Sequence, residues 1–139
     1  MRRHLLALPA VLLLLSALPA RADKVDKDTP SATPGGATFT IPAGWSTTTR
    51  DHMVVLEPPE PDTHIALVDV QAKDAEAAVT AAWAAYKPDF KRPLKIAQPV
   101  EARQGWEERK VFQYETSPNE RVVVQALALR AGEIGRAHV

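Results

Sequence analysis

Four histidines, a handful of serines and no cysteine are what the 139-residue chain offers to metal or nucleophile chemistry. His52 stands beside Asp51, and His64 stands near Glu57, Glu60 and Asp62, so each imidazole has a carboxylate close in sequence for an acid/base pair or a metal site. The two are twelve residues apart across a proline-rich stretch, which is not the one-turn spacing that sets two imidazoles on one helix face. Ser46, His52 and Asp51 hold the residue types of a nucleophilic triad, but no Gly-x-Ser-x-Gly elbow surrounds any serine. Three residues after Ser16, Ser31, Ser46 and Ser117 stand Pro19, Pro34, Thr49 and Glu120, so the Ser-x-x-Lys pair is absent as well. Glu101, Glu107, Glu108 and Glu115 could be cast as paired carboxylates for glycoside hydrolysis. They alternate with Arg103, Arg109 and Lys110, as a solvated strand face does. Lys87, Lys91, Arg92 and Lys95, interleaved with Tyr86 and Phe90, make a basic patch that could dock an acidic partner or simply solvate a loop. Trp45, Trp83 and Trp106 read as core or core-edge anchors. Gly35-Gly36 does not lie between a strand and a helix, so no phosphate loop is assigned. No catalytic, cofactor-binding or metal-binding residue is assigned.

Around these residues the periodicity predicts strands and one helix. Phe39 and Ile41 alternate with Thr38 and Thr40, and Pro42-Ala43-Gly44 then turns the chain. Met53 to Leu56 is a short apolar strand ended by Pro58, Pro59 and Pro61. His64 to Val70 is apolar on both faces, which suggests a central strand. Asp74 to Tyr86 reads as a helix: Asp74 caps it, Glu76 sits in the first turn and Pro88 stops it. Ala75, Val79, Ala82, Trp83 and Tyr86 form its apolar stripe, and the other alanines raise helix propensity without adding core. Leu94 to Val100 is a weak strand broken by Pro99, and Gly105 to Thr116 with Arg121 to Leu129 make a hairpin around Ser117-Pro118-Asn119-Glu120. Runs of strands flanking one helix predict an α+β fold, a mostly antiparallel sheet with one helix packed on a face. One helix covers one face, so a last strand and helix are expected beyond residue 132.

Both ends of the chain stand apart from this module. Arg2-Arg3-His4, the apolar run from Leu5 to Leu18 and Ala20-Arg21-Ala22 make residues 1–22 a secretory signal peptide with a small-x-small cleavage site. The apolar run, interrupted by Pro9 and Ser16, is shorter than the roughly 20 residues a spanning helix needs. A periplasmic or secreted location follows. Residues 23–36 carry prolines, small polar residues and one large apolar side chain, Val25, which predicts a flexible leader. Residues 133–139, Glu-Ile-Gly-Arg-Ala-His-Val, resemble a sequencing-library adapter translated in frame, so residues 37–132 are expected to be an incomplete module. The full chain has 17 basic and 17 acidic groups. Without Arg2, Arg3 and Arg21 the balance becomes mildly acidic, which argues against nucleic acid or an anionic membrane as partner.

The stretch 37–45, with Ile41-Pro42-Ala43-Gly44-Trp45, resembles the opening strand and turn of small periplasmic modules of the PsbP and DcrB kind. A longer part of the chain looks like an N-terminal module of proteobacterial serine hydrolases. It runs from Val54-Val55-Leu56-Glu57-Pro58-Pro59 through Ala81-Ala82-Trp83-Ala84-Ala85-Tyr86-Lys87-Pro88 to Gly105-Trp106-Glu107-Glu108-Arg109 and Tyr114-Glu115-Thr116-Ser117-Pro118-Asn119-Glu120-Arg121. In that family a β-lactamase-related catalytic domain follows. The resemblance implies a non-catalytic front-end module whose partner is its own downstream domain, with Ser-x-x-Lys and the Tyr and His or Lys motifs beyond residue 132. It transfers no catalytic residue to this chain and implies no cofactor. The alternative is a stand-alone periplasmic binding or interaction protein.

Overall fold

The computed structural model describes residues 22–131 and 134–138, the last five by their backbone alone. The signal peptide read over residues 1–22 therefore lies, up to Arg21, outside the described residues. The fold is α+β, with antiparallel strands and, among the described residues, one helix. Ten strands are described: β1 (Asp23–Lys24), β2 (Thr29–Ala32), β3 (Thr38–Ile41), β4 (Ser46–Arg50), β5 (Met53–Glu57), β6 (Ile65–Asp69), β7 (Leu94–Val100), β8 (Glu108–Tyr114), β9 (Gln125–Ala131) and β10 (Ile134–His138). The helix, α1 (Ala75–Tyr86), falls between β6 and β7. Eight strands form one sheet in the order β1-β4-β5-β6-β10-β9-β8-β7, and β2 and β3 form a separate hairpin.

The helix starts as expected, with the Asp74 carboxylate accepting the Ala77 N–H at 2.8 Å. Its inner face packs on both flanks of the sheet at once. Ala78 and Ala82 meet Met53, Val55, Ala66 and Val68, while Ala75 and Val79 meet Phe112, Ala126 and Ala128. Ala66 and Ala82 are both 0 % exposed, so small side chains set how closely helix and sheet approach. Ala78, which the stripe from sequence leaves out, is therefore core. Glu76 in the first turn pairs with Lys110 on β8, and that contact holds its carboxyl below the usual carboxylate range.

Where composition predicts a flexible leader over 23–36, the chain is instead paired. β1 lies beside β4, and β2 pairs with β3 with Thr29 opposite Ile41 and Ala32 opposite Thr38. The reason is tertiary. β3 lays Phe39 and Ile41 over Val54, Leu56 and Leu67, on the face of the sheet opposite the helix, and Val25 and Trp45 close that cluster. The hairpin turn is then tied down by Asp69 at the end of β6, which accepts from Thr33 Oγ1 at 2.8 Å and from Gly35 N–H at 2.6 Å. Gly35 is required there, because a Cβ would stand 2.7 Å from the Asp69 carboxyl carbon. The second face of β5 and β6 is thus covered by the chain's own N-terminal hairpin, a source of cover that the sequence reading places downstream.

Three other departures follow from position in the sheet. β4, a run of threonines between Ser46 and Arg50, is a full strand paired with β5. β7 runs through Pro99, which costs no ladder bond because β7 is outermost and pairs only with β8. The β8–β9 ladder ends at Gln113 opposite Gln125, so Arg121 to Val124 lies outside it. The backbone of 134–138, within the stretch read as translated adapter, runs between β6 and β9, with Ala137 opposite both Val68 and Ala128.

Candidate functional site

The end of helix α1 builds the most distinctive surface of the molecule. Lys87 N–H bonds back to the Trp83 carbonyl at 2.8 Å, Pro88 cannot continue the helix, and Phe90 N–H then reaches the Lys87 carbonyl at 2.9 Å. This turn folds Phe90 back onto Trp83. Their rings stack at 3.7 Å with 2° between planes, and Tyr114 meets both edge-on, at 5.6 Å from Trp83 and 4.9 Å from Phe90. Trp83 Nε1–H donates to the Tyr114 hydroxyl at 3.0 Å. Burial pushes the Tyr114 phenol above its ordinary range, against the smaller opposing effect of that donor. Tyr86, one turn along, is likewise raised by burial.

The connection between β8 and β9 is braced by one ion pair. Arg92 forks onto Glu120 at 2.6 and 3.0 Å and also donates to the Glu115 carbonyl at 3.2 Å. Glu120 in turn accepts the Ser117 N–H at 2.6 Å, closing the turn at Ser117–Glu120. Arg92, and then the Ser117 amide, hold the Glu120 carboxyl down at about 2. After this clamp Arg121 takes a left-handed φ of 49°, and the chain bulges outward through Val122 and Val123.

Beside these residues lies an open cleft of about 530 Å³, within the span of roughly 300–1,000 Å³ typical of ligand sites. It is lined by Trp83, Tyr86 and Phe90, by Arg121 to Gln125 and by Asp62 to His64. Lys87, Arg92 and Arg121 supply three positive charges against the single carboxylate of Asp62. Arg92 is neutralised by Glu120. Lys87 and Arg121 have no ion-pair partner among the described residues.

The candidate chemistry read from sequence is dispersed. His52 sits in the turn between β4 and β5, whereas His64 precedes β6 at the other end of β5. A five-residue strand, roughly 16 Å at about 3.3 Å per residue, separates them. His64 Nδ1 instead meets Glu57 at 3.3 Å, with both side chains nearly half exposed. Ser46 lies opposite Glu57, at the far end of the β4–β5 hairpin from Asp51 and His52, so the triad types do not converge. Among the described residues no three His, Asp or Glu side chains form a metal-sized group. Two of the carboxylates of the β7–β8 region are engaged by cations: Glu108 pairs with Arg130 at 2.9 Å and Glu101 with Arg103 at 3.3 Å. Glu115 lies at the opposite end of β8 from Glu107 and Glu108.

Of the basic patch, Arg92 is a structural clamp and Lys87 lines the cleft; Lys91 and Lys95 are exposed. Trp45 is a core-edge anchor as expected, and Trp106 borders a separate polar hollow with Gly36 and Gln104. Trp83 packs on the core and also forms the cleft wall. The residues that sequence reasoning missed are Arg121 to Val124. Their apolar β-branched run reads as strand, yet it lies outside the ladder, just after the turn clamped by Arg92. No protein-family model matches the chain, and neither a characterised protein nor a solved structure matches it.

Proposed function

We propose that this chain is a non-catalytic binding module of an exported protein, working in the periplasm or outside the cell. In its parent it is the front end of a serine hydrolase of the β-lactamase-related class, with the catalytic domain downstream. One observation carries the binding role: the cleft beside α1 pairs a rigid aromatic wall with two uncompensated cations. That lining suits recognition. It supplies neither a nucleophile with a neighbouring base nor a carboxylate pair, so chemistry is assigned to another domain.

Sequencing the source DNA past Gly132 tests the parent. The expected result is an open frame of a few hundred residues containing Ser-x-x-Lys. A stop codon within about 50 residues overturns it, since that leaves no room for a catalytic domain. The second reading is a stand-alone periplasmic protein of the PsbP and DcrB kind with the same cleft. It is favoured by the unbroken antiparallel order through β6, β10 and β9, and the early stop codon is its prediction.

A further inference from the structure

One side of the cleft is main chain. From Arg121 to Val123 no backbone N–H or carbonyl makes a hydrogen bond among the described residues; pairing resumes where the Tyr114 N–H meets the Val124 carbonyl at 3.0 Å. The segment leads from Arg121 into the first two of three consecutive valines, residues whose branched side chains favour extended backbone, and Val123 is 82 % exposed. Unpaired backbone beside an apolar wall is what strand addition uses, with main-chain bonds supplying affinity and side-chain pockets supplying selectivity. The charges add a sign. Lys87 at the helix end and Arg121 at the start of the valine run are both without an ion-pair partner among the described residues.

We infer that the cleft binds an extended acidic peptide. Its main chain bonds to Val122 and Val123, an apolar side chain packs between the Trp83–Phe90 stack and Val123, and flanking carboxylates meet Lys87 and Arg121. A small amphipathic anion would satisfy the rings and the cations but would leave the valine backbone unpaired. A basic peptide would meet like charge. The inference rests on the binding role proposed above and names the ligand class of the same site.

The probe is a terminally blocked, fluorophore-labelled peptide, Glu-Glu-Val-Phe-Val-Glu-Glu, titrated with the full chain and followed by fluorescence anisotropy. A version with Lys replacing every Glu and the small anion anilinonaphthalene sulfonate serve as comparisons. The expected result is micromolar binding of the acidic peptide, weakened about 10-fold or more by Lys replacement, by Arg121→Glu and by Val123→Asp. Both substitutions are at exposed positions, so unchanged circular dichroism and melting are expected alongside the lost binding. Absence of binding, equal binding of both peptides, binding of the sulfonate alone, or full-strength binding to both variants overturns the inference. Peptide binding with an early stop codon downstream sinks the hydrolase parent and leaves the peptide site standing. A downstream Ser-x-x-Lys without peptide binding does the reverse.

Discussion

On one flank of the molecule β5 and β6 are packed on both faces, by α1 on one side and by the β2–β3 hairpin on the other. On the other flank β7, β8 and β9 carry the helix on one face only. Their second face bears Val111 directly opposite Leu127, both half-buried, with Ile96 beside them 43 % exposed. The same helix serves both flanks, yet the cleft, the exposed valines and the proline-bearing edge strand all fall on the second. Stability is concentrated where two layers close on a strand, and the surface free to bind lies where only one does.

The largest test of this division removes the anchor of the half-covered flank. Phe112 is 3 % exposed and packs under Ala75 and Val79, so Phe112→Ala is expected to cost about 3–5 kcal/mol in a urea melt. Because α1 contributes alanines to both clusters, the loss should appear as one transition by circular dichroism and by tryptophan fluorescence. Two separated transitions would show that the flanks unfold independently and that the helix does not couple them.

Next in size is the tie that keeps the doubly covered flank closed. Asp69→Ala removes two hydrogen bonds to a carboxylate, those from Thr33 and Gly35, and leaves the buried Thr33 hydroxyl short of an acceptor. The expected loss is about 2–3 kcal/mol. Gly35→Ala should act in the same direction by driving a Cβ into that carboxylate. Hydrogen exchange should then quicken at β2 and β3 while β8 and β9 are unchanged. Unaltered exchange at β2 and β3 would mean that the hairpin is held by Phe39 and Ile41 alone.

The flanks also differ in how much of them the sequence announces. The helix was legible because its signals are local: Asp74 caps, Pro88 stops, and both act within a few residues. β5 and β6 were legible because strands covered on both faces are continuously apolar. β1, β2 and β4 were not, since their residues are polar or small and they are ordered by what they lie on, with Asp69, more than thirty residues away, closing the turn. Pro99 misled for the same reason, because edge position is a property of the whole sheet. For the candidate site, Tyr86, Phe90, Lys87 and Arg92 could be picked out as part of an aromatic and basic patch, while Trp83 read as a core anchor. Arg121 to Val124 could not, because their departure from the ladder follows a turn whose bracing contact, Arg92 to Glu120, spans 28 positions.

A smaller effect separates the rings of the cleft from the core beneath them. Trp83→Phe keeps the stack on Phe90 but removes the Nε1–H donor to Tyr114 at 3.0 Å, so about 1 kcal/mol of stability should be lost. The Tyr114 phenol should titrate higher still, since that donor lowers its pKa against the burial that raises it. A spectrophotometric titration reads this directly. A Tyr114 midpoint that falls would show that the indole donor is not formed.

The smallest effect on stability falls on the exposed clamp that sets the cleft's open side. Glu120 has an ordinary carboxyl value of 4.5 and is held at about 2, first by Arg92 and then by the Ser117 amide. A depressed folded value means that the contribution is fully present above pH 4.5 and is lost as the pH falls toward 2. Between those values the turn should loosen while β5 and β6 stay protected, with the hydrogen-bonded amides of Glu115, Ser117 and Glu120 exchanging faster as Glu120 protonates. Glu120→Gln should produce the same loosening at neutral pH, with a change in melting close to nothing because the pair is solvent-screened. A Glu120 midpoint near 4.5 by carboxyl NMR would show that the Arg92 fork does not persist in solution. Arg121 to Val124 would then be free to rejoin the β8–β9 ladder, and the cleft would lose the unpaired backbone on which peptide recognition depends.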